Sequence, residues 1–131
     1  MKKIGILNSE ISKVISELGH TDKIVIGDAG LPIPAQVKRI DLALKQGVPS
    51  FIETVETVLQ EMQVETAYIA KEMGEVSPSK KEELTSLLPG IAIKTMTHEE
   101  LKVLTREAKA IIRTGEFTPF ANVVLEAGVI F

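Results

Sequence analysis

The chain has 131 residues, with 15 basic and 18 acidic side chains, two histidines, no cysteine and a formal net charge of -3. Without cysteine there is no disulfide, thiolate nucleophile, zinc finger or cysteine-held iron–sulfur cluster. The charges are interspersed, which excludes the basic stripe of a nucleic-acid binder. A composition 44% hydrophobic and 25% charged is that of a folded globular domain, and residues 1–131 are expected to form one. Polar residues interrupt every apolar run, so no membrane-spanning helix is expected. The charged start Met1-Lys2-Lys3 lacks the apolar stretch of a signal peptide, and the cytoplasm is the expected location.

In chain order, Ile11, Val14, Ile15 and Leu18 recur at helical spacing, with Asn8 and Ser9 as candidate caps and Gly19 as the stop. Lys23-Ile24-Val25-Ile26 is predicted to be a strand. It runs into Gly27-Asp28-Ala29-Gly30-Leu31-Pro32-Ile33-Pro34, whose glycines and prolines rule out helix and central strand and leave a rigid loop. Ile40 to Leu44 fits either a short strand or a helical turn. Ser50-Phe51-Ile52-Glu53 is a capping box, opening a helix with Phe51, Val55, Val58, Leu59 and Met62 on its apolar face. A strand through Ala67 to Ala70 follows, then a helix begun at Pro78 and ended by Pro89-Gly90. Ile91 to Lys94 alternates as a strand. Thr97-His98-Glu99-Glu100 is a second capping box, ahead of Leu101, Leu104 and Ala108. Ala110 to Arg113 and Val123 to Leu125 are predicted as closing strands on either side of the loop from Gly115 to Asn122.

Strands alternating with helices predict an α/β fold, a three-layer sandwich with a mostly parallel central sheet flanked by helices. Ligands in such sheets sit outside the strand C-terminal ends, where the Asp28 loop and the Thr97 cap both fall. His20 and His98 are the two side chains whose ordinary titration lies near neutral pH. Read locally, His20 in Gly19-His20-Thr21-Asp22 is a solvated loop histidine. His98 opens a helix, where the dipole disfavours its protonated form and suits it to a hydrogen-bonding or basic role. Asp28 either bonds the amides of its own turn or, held on a rigid loop, accepts hydrogen bonds from sugar hydroxyls. Asn122, before the last strand, has turn formation as its simplest role. Gly27-x-x-Gly30 matches neither a Walker nor a Rossmann phosphate loop, and no His-x-x-x-His spacing points to a metal. The apolar ending Ala127-Gly128-Val129-Ile130-Phe131 either tucks into its own core or is buried against another subunit, because undocked termini are normally polar.

Seven segments together carry a resemblance. They are Leu7-Asn8, Leu18-Gly19-His20-Thr21-Asp22, Asp28-Ala29-Gly30-Leu31-Pro32-Ile33-Pro34, Thr97-His98-Glu99, Ile112-Arg113-Thr114-Gly115-Glu116, Pro119-Phe120-Ala121-Asn122 and the apolar ending. On these the chain resembles the D-ribose pyranase family, which includes L-fucose mutarotase. The likeness spans the whole chain. Gly47-Val48-Pro49-Ser50-Phe51 and Ile40-Asp41 resemble the ribose branch more than the fucose branch.

The resemblance implies conversion of β-D-ribopyranose to β-D-ribofuranose, the ring form used by ribokinase, with no cofactor. It implies His20 as proton donor, with Asp28, His98, Phe120, Ala121 and Asn122 holding the sugar. It also implies a homo-oligomer, a decamer of two stacked pentamers, with sites near subunit contacts. The family usually has tyrosine where this chain has Phe120, so one hydroxyl of the implied site is missing. Opening a hemiacetal needs a proton delivered to the ring oxygen and one removed from the anomeric hydroxyl. Histidine suits that work because both its forms are populated near neutral pH. Two other readings use the same pocket. One is a non-catalytic ribose-binding or regulatory component of a ribose transport system; the other is an L-fucose mutarotase.

Overall fold

The computed structural model describes all residues, 1–131. Helix α1, Ser9–Glu17, begins where the Asn8 side chain accepts the Ile11 N–H at 2.9 Å, and it buries Ile11 and Val14. Leu18 ends it, one residue before the glycine that marks the stop. Strand β1, Lys23–Gly27, carries three fully buried β-branched residues in a row, as a strand covered on both faces requires. Strand β2 is Lys38–Asp41, so the ambiguous Ile40 segment is a strand, and it ends before Leu42.

Helix α2, Phe51–Leu59, starts at Ser50, whose hydroxyl accepts the Glu53 N–H at 3.1 Å, and Met62 lies beyond its end. Strand β3, Val64–Ala70, passes without a break into helix α3, Lys71–Val76, which no capping or periodic signal announces. Helix α4, Pro78–Ser86, has proline in its first turn. Strand β4, Ala92–Met96, precedes helix α5, His98–Leu104, where the Thr97 hydroxyl accepts the Glu100 N–H at 3.1 Å. A 3-10 turn, Thr105–Glu107, leads to strands β5, Ala110–Arg113, and β6, Val123–Ala127.

The six strands form one sheet in the order β2-β5-β1-β6-β3-β4. Every pairing is parallel except those of β6, which runs antiparallel to both β1 and β3. A parallel return needs a crossover of about a dozen residues or more, usually helical. The loop between β5 and β6 is shorter than that, so β6 enters reversed. Alternate residues of the strands face two cores. Ile24, Ile26, Ile112 and Leu125 pack with Val14 of α1 and Phe51 of α2. On the other face Val25, Ile111 and Val124 meet Leu101 of α5 and Leu31 and Val37 of the loop after β1. These are the three layers.

One edge of this sheet gathers the C-terminal ends of β1, β3, β4 and β5. Because β6 is reversed, its first residues lie at the same edge.

Candidate functional site

Asp28 leaves β1 at that edge, and Asn122 enters β6 beside it. The Asp28 N–H donates to Asn122 Oδ1 at 2.9 Å, and Asn122 Nδ2 donates to Asp28 Oδ2 at 3.0 Å. Asp28 Oδ1 accepts the Gly30 N–H at 2.9 Å. Each carboxylate oxygen keeps acceptor capacity for a further donor. Both roles foreseen for Asp28 are therefore geometrically compatible. Burial is the largest influence on this carboxyl and pushes it above its ordinary value; bonds from Gly30 and Asn122 only partly offset it.

The close approach of Asn122 depends on Gly27. A Cβ at that position would stand 2.9 Å from Asn122 Oδ1 and 2.8 Å from Leu31 Cδ2. Asn122 itself is fully buried, so its amide is a fixed part of the site rather than a loose turn former. The loop is tied down further along. Thr114 donates its hydroxyl to the Gly27 carbonyl at 2.8 Å, and the Ala29 N–H donates to the Glu116 carbonyl at 2.8 Å. Arg113 Nε donates to the Ala29 carbonyl at 3.0 Å, while its Nη1 holds both Asp41 oxygens at 3.1 Å. A cavity of about 410 Å³ opens beside Asp28, between its loop and the Arg113–Pro119 segment.

His98 approaches from α5. Its N–H donates to Glu72 Oε2 at 2.8 Å, tying the start of α5 to α3. Its ring Nδ1 is buried and has no hydrogen-bond partner in the chain. Buried polar atoms are rarely left so, and one at a site edge is suited to a ligand hydroxyl. The ring of Phe120 stands edge-on to His98, with centroids 5.0 Å apart at 77°. Phe120 occupies the left-handed region at φ 63°, a strained place for a bulky residue. The turn closes with the Asn122 N–H donating to the Phe120 carbonyl at 2.8 Å. Ala121 turns its methyl into the core beneath α1 and α2, so what it can offer a ligand is backbone.

Asp28, His98, Phe120, Ala121 and Asn122 thus come together at one edge. His20 does not join them within one chain. It lies in the turn before β1 and Asp28 in the loop after it, so the length of a five-residue strand, about 16 Å, separates the two ends. His20 is exposed, and its Nε2 lies 3.0 Å from Glu65 Oε2 and 3.1 Å from Oε1. No group of three or more His, Cys, Asp or Glu is arranged to hold a metal ion, and no helix is long and apolar enough to cross a membrane.

Residues 1–130 match the family model described as the RbsD / FucU transport protein family. The chain belongs to this family. Its relatives include proteins named D-ribose pyranase from Laribacter hongkongensis, 56% identical, and Chloroflexus aggregans, 54% identical, each aligned over the full length of both chains. Among solved structures, Bacillus subtilis RbsD complexed with D-ribose is 51% identical, superposes with a TM-score of 0.97 and is covered completely in both directions. The α/β sandwich expected from the sequence is therefore the fold of this RbsD / FucU family member.

Two supporting residues, Glu72 and Glu65, carried no sequence signal, sitting among ordinary surface acids, and Thr114 stood out only as part of the Ile112–Glu116 segment, with no role of its own. Their roles depend on contacts between residues far apart in the chain.

Proposed function

We propose that this family member is a D-ribose pyranase, an isomerase that opens β-D-ribopyranose and recloses it as β-D-ribofuranose. The observation that carries the reading is the Asp28–Asn122 clamp beside the unpartnered His98 Nδ1. Together they place acceptors and an amide donor at one edge, on a fold shared at 51% identity with a protein solved with D-ribose. Asp28 and His98 accept hydrogen bonds from sugar hydroxyls, Phe120 covers a ring face, and the buried Asn122 fixes Asp28. His20 is the proton donor. On opening, the bond between C1 and the ring oxygen breaks; the ring oxygen takes a proton from His20, and the anomeric hydroxyl loses one to solvent water, which returns it to the carbonyl oxygen on reclosure. On reclosure the C4 hydroxyl adds to C1, losing its proton while the carbonyl oxygen regains one. Atoms and charge balance without any cofactor.

Because His20 and Asp28 belong to opposite ends of β1, the working site is made between copies, with His20 of one copy meeting the Asp28 cluster of another. Support for assembly comes from the tail. Val129, Ile130 and Phe131 are 39%, 87% and 100% exposed at the His20 end of the sheet, an apolar patch that suits burial against another subunit. A decamer of two stacked pentamers, each copy one domain over residues 1–131 and located in the cytoplasm, completes the proposal.

The test is saturation transfer by NMR between the pyranose and furanose signals of D-ribose, with and without the protein. Faster exchange with the protein is expected. Ribose binding with unchanged exchange would assign the chain to the non-catalytic transport role instead.

A further inference from the structure

We propose that Glu65 is a positioning residue for His20, holding its Nε2 so that Nδ1 is the nitrogen that faces the sugar. This inference rests on His20 being the proton donor. Both Glu65 oxygens lie within hydrogen-bond distance of Nε2, at 3.0 and 3.1 Å, and no other side chain bonds the ring. The neighbouring charges are engaged elsewhere. Asp22 accepts the Gly19 N–H and pairs with Lys109, while Lys23 pairs with Glu126, which also accepts the Tyr68 hydroxyl.

Three independent features of the backbone build this contact. First, β3 shifts register against β6 between Val64, opposite Ala127, and Thr66, opposite Glu126. Glu65 is the extra residue of that irregularity, and bulges of this kind re-aim a side chain. Second, Gly128 leaves room for it: a Cβ there would stand 3.1 Å from Glu65 Cβ. Third, Thr21 beside His20 is held at φ 69°, an outlier for a β-branched residue, by the bond from its N–H to the Ala127 carbonyl at 2.9 Å. Strain of this sort persists where the surrounding structure fixes it, and here it fixes the turn that presents the imidazole.

A histidine whose one ring nitrogen donates to a carboxylate has its tautomer and orientation set by that bond. With Nε2–H directed at Glu65, neutral His20 carries a bare Nδ1 and protonated His20 carries the transferable proton there. In ring opening, Nδ1–H gives that proton to the ring oxygen; on reclosure through the C4 hydroxyl, Nδ1 recovers one. Nε2–H stays on Glu65 throughout, so the carboxylate exchanges no proton with the sugar.

The experiment compares wild-type protein with Glu65→Ala, Glu65→Gln and His20→Ala by saturation transfer over a D-ribose concentration series. The ring-nitrogen shifts of His20 are read in parallel from its carbon-bound protons. Glu65→Ala is expected to lower the maximal exchange rate about tenfold, as loss of an outer partner of a functional histidine does, with little change in half-saturating ribose. Glu65→Gln keeps an acceptor in reach and should recover part of the rate. The nitrogen shifts should move from a protonated Nε2 with bare Nδ1 towards a mixture in Glu65→Ala. A Glu65→Ala protein that is folded, keeps wild-type His20 nitrogen shifts and exchanges ribose at the wild-type rate overturns the inference. If His20→Ala also exchanges normally, the donor assignment itself is wrong, and the two failures are thereby told apart.

Discussion

Phe120 stands at a strained φ with its ring edge-on to His98, at the position where the family resemblance implies a tyrosine. A hydroxyl added to that ring can gain a sugar hydrogen bond worth about 0.5–1.5 kcal/mol, so Phe120→Tyr should tighten ribose binding by up to roughly tenfold. Calorimetric titration reads this directly; a large loss of affinity would mean the ring pocket is built against a hydroxyl. Gly27 acts at the same scale through what it lacks. Gly27→Ala forces a methyl against Asn122 Oδ1 and Leu31, an overpacking cost of about 1–3 kcal/mol. Asn122 has to give way, and Asp28 loses its clamp. Half-saturating ribose should rise together with a fall in the denaturant midpoint. A stability loss with unchanged ribose affinity would separate Gly27 from the site.

Element by element, the site is carried by the ends of strands rather than their middles. The anchor between them is Glu116, a carboxylate only 8% exposed. Burial raises this carboxyl, but bonds from Thr118 and the Phe51 N–H, with the charge of Lys80, outweigh it and hold the group below its usual value. A depressed carboxyl stabilises the fold at pH above its unfolded value, and that contribution is lost as pH falls through the folded value. Glu116→Gln should therefore cost about 1–3 kcal/mol near neutral pH, with the gap to wild type closing in acid. Denaturant midpoints across pH measure it; a constant gap would show that the charge is irrelevant. The elements themselves were largely legible, because capping residues such as Asn8, Ser50 and Thr97 announce their helices and buried β-branched runs announce β1 and β5. Helix α3 was not, being short, preceded by Ala70 with no side-chain cap and interrupted by Gly74. The Ile40 strand was ambiguous because it is an edge strand with one buried residue of four. Within the site, Asp28 and His98 were visible as chemistry-bearing types. The dependence of Asn122 on Gly27, and of His20 on Glu65, comes from pairings across the sheet that local sequence does not encode.

At the scale of the whole molecule, one chain separates His20, the proposed proton donor, from the Asp28 cluster proposed to hold the sugar by the length of β1. An exposed apolar tail, Val129 to Phe131, lies at the His20 end. This arrangement makes sense if catalysis belongs to the assembly, and that claim has a direct measurement. His20→Ala and Asp28→Ala are each prepared alone, then mixed under conditions that exchange subunits, and ribose ring exchange is followed by saturation transfer. His20→Ala alone should lose about 10²–10⁴-fold in rate, the usual scale of a positioned acid–base group. Asp28→Ala should be slow as well, with weakened binding. In an equal mixture, about one site in four combines an intact His20 from one copy with an intact Asp28 from another, so exchange should reappear at a substantial fraction of wild type. A mixture no faster than its two components, despite demonstrated subunit exchange, would contradict a site shared between copies.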